Sequence, residues 1–235
     1  MIVYTGSYAI AATGDLGSNT KPGLVFRDLG RMGWAEAEAV QQQNVAKVQS
    51  GEPDTLLFVE HEPVVTLGRN ADLSHLRLSP EKLEQQGVAL HRASRGGDVT
   101  CHFPGQLVVY AICDLKRRQG GIKAFVALLE QAAQLAAQDL SISAERDPER
   151  RGLWVRGRKL VSVGLAVSRQ VTSHGLALNV GRDLNVFSLV TPCGLAGVEP
   201  TSLNLEREKQ GLASVTMEHA KHVCKQRFFE ALALA

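Results

Sequence analysis

Residues 94–110 read S-R-G-G-D-V-T-C-H-F-P-G-Q-L-V-V-Y. No other segment sets an Arg, four Gly or Pro residues, an adjacent Cys-His pair and a Gln so close together. Gly96-Gly97 lets the backbone turn with φ > 0 or approach a ligand closely. Pro104-Gly105 forces a second turn. Between the turns Val99-Thr100-Cys101 predicts a short strand, and Gln106 to Ile112 predicts a longer, apolar one. The expected arrangement is a hairpin whose two turns flank one wall of a pocket.

The Cys101-His102 pair suggests a nucleophile beside its base. In an extended chain, however, neighbouring side chains point to opposite faces. Cys101 therefore reads as a small wall or core residue. His102 points the other way, either into the pocket or into a structural role.

Upstream of this stretch, residues 1–22 are rich in Gly, Ser and Thr and read as a loose arm. A strand starts at Leu24-Val25-Phe26. Trp34 to Gln49 reads as a helix, ended by Gly51 and Pro53. Strands follow at Thr55 to Glu60 and Val64 to Leu67, with His61-Glu62-Pro63 turning the chain between them. Ser79-Pro80 is the cap and first position of a short helix, and Val88 to Arg92 returns as a strand. Downstream, Gly120 to Leu140 carries Phe125, Leu128, Leu129, Ala132, Leu135 and Ala136 at helical spacing, which is a core-facing stripe. Gly152 to Val155, Lys159 to Val167 and Ser173 to Val180 read as strands, with Arg156-Gly157 a tight turn. Phe187 to Val198 is loop-rich, and Ser214 to Ala233 is a helix with Val223 and Phe228 among its buried positions. Many strands unevenly interleaved with few helices give an α/β (α+β) fold, a single domain over 23–235 around a mixed β-sheet.

Composition narrows the function. The 235 residues are 44% hydrophobic and 21% charged, with a net charge of +2. That balance, with 5% aromatic residues, gives no basis for a nucleic-acid partner. The start of the chain lacks a basic leader, and no stretch approaches the ~20 apolar residues of a membrane span. A cytoplasmic location away from membranes is expected. The four Cys have no metal-ligand spacing, so reduced thiols and no metal are expected. There is neither a GxGxxG nor a GxxxxGK[ST] phosphate loop.

Three further segments carry candidate chemistry. Cys193 lies in T-P-C-G-L-A-G, where Pro192 fixes the backbone and Gly194 frees the next amide for an oxyanion. A thiol with an ordinary pKa of ~8.5 needs a partner to be a thiolate near neutrality. Lys159 begins the apolar run K-L-V-S-V-G. It reads either as a base held over a pocket or as a strand-end lysine reaching to water. His174-Gly175-Leu176-Ala177 sets small residues beside a His, leaving room for a ligand chain or for close strand packing.

Together these segments resemble one family. R-G-G-D-V-T-C-H-F-P-G-Q-L-V-V-Y (95–110) closely resembles the R-G-G-x-x-T-aromatic-H-x-P-G-Q-x-x-x-Y signature of the lipoyl(octanoyl) transferases. E-H-E-P-V-V-T-L-G-R (60–69), G-R-K-L-V-S-V-G (157–164), S-H-G-L-A-L-N-V (173–180) and T-P-C-G (191–194) resemble its other blocks, in the same order.

The resemblance implies an α/β fold shared with the catalytic domains of biotin protein ligases and lipoate ligases. It implies transfer of an octanoyl group from octanoyl-acyl carrier protein to a lysine ε-amine of lipoyl domains, in 2-oxoacid dehydrogenases and the glycine cleavage H protein. No cofactor is implied, and the chain is expected to act as a monomer. Cys193 would carry the acyl thioester and Lys159 would activate it. Arg95, Gly96, Gly97, Asp98, Val99, Thr100, Cys101 and His102, with Ser162, Val163, Gly164, Gly175, Leu176 and Ala177, would bind substrate. Val163, Leu165 and Leu176 are candidates for an apolar slot, and the amides near Gly194 or His174 for an oxyanion site. The chain departs from the family in having Cys101 for an aromatic and Phe103 for Gly. Two residues apart in a strand, these share a face, so their volumes could compensate in the acyl cavity. The alternatives are an ATP-dependent lipoate or biotin ligase of the same fold, a cysteine hydrolase using Cys193 with His102 or His174, and a non-catalytic acyl- or lipoyl-domain-binding module.

Overall fold

The computed structural model describes residues 23–191 and 198–234. The expected arm over 1–22 and Cys193 with its turn lie outside the described residues.

The chain opens with a βαβ unit of β1 (Leu24–Met32), α1 (Trp34–Gln49) and β2 (Asp54–His61). β1 and β2 are parallel, with Leu24 opposite Asp54. Parallel neighbours need a crossover, and α1 supplies it. Glu62-Pro63 then leads out of this sheet into β3 (Val64–Leu67). The short helix α2 (Pro80–Gln85) starts as its sequence indicates, with Pro80 at the first position and the Ser79 hydroxyl accepting the Lys82 N–H. It returns the chain to β4 (Ala89–Arg92), parallel to β3. β5 (Val99–His102) runs antiparallel on the other side of β3, which completes a three-stranded sheet β4-β3-β5.

The expected hairpin of β5 with the next strand does not form. β6 (Gln106–Ile112) joins the other sheet, between β2 and the strand over Val171–Asn179. The reason lies in its side chains. Leu107, Val109 and Ala111 pack on one face and Val108, Tyr110 and Ile112 on the other. A strand apolar on both faces must be central in a covered sheet. Pro104-Gly105 is therefore a corner between two sheets: the Gln106 N–H donates to the Phe103 carbonyl at 3.1 Å, and Gly105 has φ +94°.

α3 (Gly121–Asp139) leads to β7 (Glu145–Arg146), β8 (Leu153–Val155), β9 (Arg158–Ser168) and β10 (Val171–Asn179). The large sheet has the order β1-β2-β6-β10-β9-β8-β7, mixed because only β1 and β2 are parallel. Both two-residue turns flanking β9 have positive φ at each position: Arg156 and Gly157, then Arg169 and Gln170. That matches the right-handed strand twist, although only the first turn carries a glycine to announce it. α4 (Leu203–Lys209), between the loop-rich stretch and the C-terminal helix, is capped by the Ser202 hydroxyl. α5 (Met217–Leu234) follows.

α3 and α5 cover one face of the large sheet and α1 the other. The α3 stripe packs as its spacing predicts except at Leu135, which is 37% exposed. A third core, built from Val65, Leu67, Leu83, Val99 and Phe187, lies under the small sheet.

Gly175 on β10 lies so close to β6 that an added Cβ would sit 2.1 Å from the Val109 carbonyl oxygen. Gly175→Ala is expected to cost about 2 kcal/mol and lower Tm by roughly 6 °C. Gly23→Ala, with nothing within 4 Å of the new methyl, should leave Tm within about 1 °C. Thermal unfolding by circular dichroism checks both.

Candidate active site

A cleft opens where the start of α1, the loop after Ser94 and the middle of β9 and β10 meet. Arg95, Gly96, Gly97, Asp98, Val99, Thr100 and His102 line it from the opening stretch. β9 contributes Lys159, Ser162, Val163 and Gly164, and β10 contributes Gly175, Leu176 and Ala177. Of the sequence-derived residues in the described regions, Cys101 and Leu165 fall outside the lining. Trp34, Val108, Tyr110 and His174 complete it. The first was not anticipated, because a Trp opening an otherwise polar helix gives no local sign of the wall it joins.

Glycines let these elements meet. Gly164 and Gly175 face each other across β9 and β10. The Gly96 N–H donates to the Leu165 carbonyl at 2.8 Å, which lays the loop on β9. An added Cβ on Gly164 would press on Arg95 Cδ at 3.2 Å, and one on Gly68 would meet the Gly97 oxygen at 2.4 Å.

Arg95 is buried, and its guanidinium N–H groups are engaged within the protein. Nε donates to Thr66 Oγ1, one terminal nitrogen to the Gly96 and Asp98 carbonyls, and the other to the Thr66 carbonyl and Oγ1. Arg95, which the family resemblance places among the substrate-binding residues, thus braces the loop from within the protein.

Cys101 and Phe103 do share a face, as expected, but it is the core face rather than the cleft. Both are buried with the third core, where Phe103 meets Phe187 edge to face at 5.4 Å. Cys101 Sγ donates to the Val186 carbonyl at 3.4 Å, and burial pushes its thiol up to about 12. β5 pairs with β3 and turns its odd positions into that core, so these departures from the family pattern repack the core and leave the cleft lining intact.

Buried aromatic rings back the cleft. Trp34 stacks with both His102, at 5.5 Å and 11°, and His174, at 6.0 Å and 10°. His61 Nε2 lies 2.6 Å from the Tyr110 hydroxyl. Burial holds His61 and His174 at about 4 and His102 well below the usual imidazole value, so all three are neutral near pH 7. His174 adopts φ +59°, and its N–H donates to Gln41 Oε1 at 2.7 Å. That amide is therefore committed, which removes it as an oxyanion donor. Gly194, the other candidate, lies outside the described residues.

Lys159 is held by its backbone. Its N–H donates to the Glu199 carbonyl at 2.8 Å, and its carbonyl accepts the Thr201 N–H at 2.9 Å. Its Nζ lies 5.1 Å from the centre of the Trp154 ring, within cation–π range. On the other side of residues 192–197, the Thr191 N–H donates to the His75 carbonyl at 2.8 Å. His75 Nδ1 pairs with Asp98 of the cleft wall at 2.5 Å.

The buried imidazoles make stability depend on pH. Their folded pKa values lie below the unfolded value, so the unfolded chain binds more protons between about pH 6.5 and 4. Stability is fully present above that window and is lost as pH falls through it. At pH 5, His61 and His174 should each cost on the order of 2 kcal/mol relative to pH 7. Urea unfolding at the two pH values measures this, and His61→Gln should flatten the dependence.

The lipoyl protein ligase A/B catalytic-domain family matches residues 34–229. An octanoyltransferase of Nitratidesulfovibrio vulgaris (strain DP4) is 46% identical over 201 residues, 86% of this chain and 91% of the relative. One from Solibacter usitatus is 42% identical over 209 residues, 88% and 94% of the two chains. Among solved structures, a lipoate-protein ligase A bound with ATP superposes with a TM-score of 0.70 at 15% identity, over 91% of this chain and 86% of the other. A biotin protein ligase from Aquifex aeolicus gives 0.50 at 13% identity, over 91% and 70%. These two show a shared fold. With relatives this similar along nearly its whole length, the chain belongs to the lipoyl protein ligase A/B catalytic-domain family and is an acyltransferase akin to the octanoyltransferases.

Proposed function

We propose that the protein moves an octanoyl group from octanoyl-acyl carrier protein to a lysine ε-amine of a lipoyl domain through a Cys193 thioester. The observation that carries this reading is the apolar cleft over β9 and β10 with Lys159 in its wall, its backbone bonded to the segment that follows T-P-C-G. Val108 and Ala177, opposite each other on the cleft face of β6 and β10, suit an alkyl chain, and the glycines give it width, whereas Val163 and Leu176 turn their side chains to the core under α3 and α5.

In the first step the Cys193 thiolate attacks the donor thioester. A C–S bond forms, the carrier's C–S bond breaks, and the carrier leaves as its thiol, taking through Lys159 the proton that Cys193 gave up. In the second step the lysine amine attacks the enzyme thioester. A C–N bond forms, the Cys193 C–S bond breaks, and the amine proton passes through Lys159 to the departing sulfur. Thioester to thioester is nearly balanced and thioester to amide runs downhill, so this route needs no ATP. The described cysteines suit the nucleophile's role poorly, because Cys101, Cys113 and Cys224 are buried and burial raises all three thiols.

The acceptors in this reading are the lipoyl domains of 2-oxoacid dehydrogenases and the glycine cleavage H protein, met in the cytoplasm by a monomer. The exposed Lys116, Arg146, Arg151 and Arg156 would steer acidic carrier and lipoyl domains, whereas Arg117 and Arg118 are committed to Asp54. The fold's likeness to an ATP-bound ligase favours one rival, activation of free octanoate by ATP.

Intact-mass measurement after incubation with octanoyl-acyl carrier protein should show an octanoyl adduct that is lost in Cys193→Ala and kept in Cys101→Ala. The reverse pattern would reassign the nucleophile, and turnover with octanoate plus ATP alone would favour the ligase. Lys159→Met should lower kcat by roughly 100-fold or more. Added salt should slow turnover of whole carrier protein while sparing a small octanoyl thioester; an equal response would remove the steering segments.

A further inference from the structure

His102 and Gln106 sit four residues apart across the Pro104-Gly105 corner, and a directional hydrogen-bond chain runs through them. The chain begins at the Thr201 carbonyl, which can only accept, and which takes a hydrogen from Asn179 Nδ2 at 2.9 Å. That contact fixes the Asn179 amide, so its Oδ1 faces Gln106 and accepts from Gln106 Nε2 at 2.9 Å. A second backbone acceptor, the Cys101 carbonyl, lies 3.4 Å from the same Nε2 and imposes the same sense. Gln106 Oε1 is then the atom 2.7 Å from His102 Nδ1. An amide oxygen cannot donate, so Nδ1 must carry the hydrogen. His102, Gln106, Asn179 and Thr201 are buried, and nothing in the chain can reverse without setting an N–H against an N–H or an oxygen against an oxygen.

A neutral imidazole protonated at Nδ1 has a bare Nε2. Nε2 of His102 meets no hydrogen-bond partner among the described residues, yet it is not sealed in as Nδ1 of His174 is. His102 lines the cleft, so that lone pair opens on it. An alkyl chain offers nothing to a lone pair. An incoming amine offers an N–H.

We propose that Gln106 and Asn179 are positioning residues that hold His102 as its Nδ1–H tautomer, so that Nε2 accepts an N–H of the attacking lysine in the second half of the reaction. The amine's role here rests on the function proposed above; the tautomer does not. The hydrogen bond to Nε2 turns the amine's own lone pair toward the thioester carbon. The C–N bond then forms, the electron pair of the C–S bond passes to Cys193, and the proton leaves through Lys159 as before.

The test has a spectroscopic arm and a kinetic arm, both on the full chain. Long-range 1H–15N NMR of histidine-labelled protein, assigned by the signals missing from His102→Phe, should show His102 protonated at Nδ1. A wild-type spectrum with the hydrogen on Nε2 overturns the proposal. Gln106→Leu should give a mixture of tautomers. It should slow deacylation onto a lipoyl domain roughly tenfold while acyl-enzyme formation changes less than about twofold. Equal slowing of both halves means a structural role and overturns the proposal. If Gln106→Leu does not fold, His102→Phe decides, since it keeps a stacking ring and removes the lone pair: deacylation must fall selectively. Absence of any acyl-enzyme in the wild type would sink the function proposed above while leaving the tautomer measurement intact.

Discussion

The buried guanidinium of Arg95 is where the two sheets and the cleft are joined. Its donors reach Thr66 on β3 of the small sheet and the Gly96 and Asp98 carbonyls of its own loop. The loop in turn lies on β9 of the large sheet through Gly96 and Leu165. A charge taken out of water costs several kcal/mol unless its hydrogen bonds are replaced. The loop is therefore held in the one conformation that supplies enough carbonyls. Gly68, Gly96, Gly97 and Gly164 follow from that demand, because side chains at Gly68 and Gly164 would press on the loop or on the arginine itself. The R-G-G motif is best understood as the condition for building a cleft wall from a turn.

A second constraint comes from the aromatic wall. Trp34, His61, His102, Tyr110 and His174 are packed ring to ring behind the cleft. Burial keeps the imidazoles neutral, which lets them stack and hydrogen-bond without a charge to solvate. For His61 and His102 an acceptor oxygen beside Nδ1, the Met32 carbonyl and Gln106 Oε1, then places the hydrogen on that nitrogen. The wall is thus apolar enough for a hydrocarbon yet able to present single lone pairs or N–H groups at chosen points. The positive φ of His174 belongs to this arrangement: the strand bends at that residue, and its amide turns toward Gln41 on α1.

Lys159 depends on the same scaffold. Its strand enters the large sheet through a turn of two positive-φ residues, Arg156-Gly157, and its peptide groups bond to Glu199 and Thr201. Thr201 also anchors the hydrogen-bond chain that ends at His102. The lysine and the histidine are therefore set from one point of backbone, although 57 positions separate them in the chain.

Much of this was legible from residues 94–110 and the blocks around them. The α/β class, most strands, α1 and α3 follow from hydrophobic period and from capping residues, which act locally and leave local marks. The lining of the cleft by Gly96 to Thr100, Ser162 to Gly164 and Gly175 to Ala177 was implied by the resemblance of those blocks to one family. Three things were not. β5 and β6 part to separate sheets, because which strand a turn leads to depends on partners far along the chain. Cys101 faces the core rather than the cleft, because strand alternation says that two neighbours differ and not which of them looks inward. Trp34 joins the wall because α1 packs across the sheet, and no neighbouring residue records that. The sequence by itself determined the elements and the residue types able to make a cleft. Only the tertiary structure decided which face each strand turns inward and which nitrogen of His102 is bare, since both depend on contacts between residues distant in the chain.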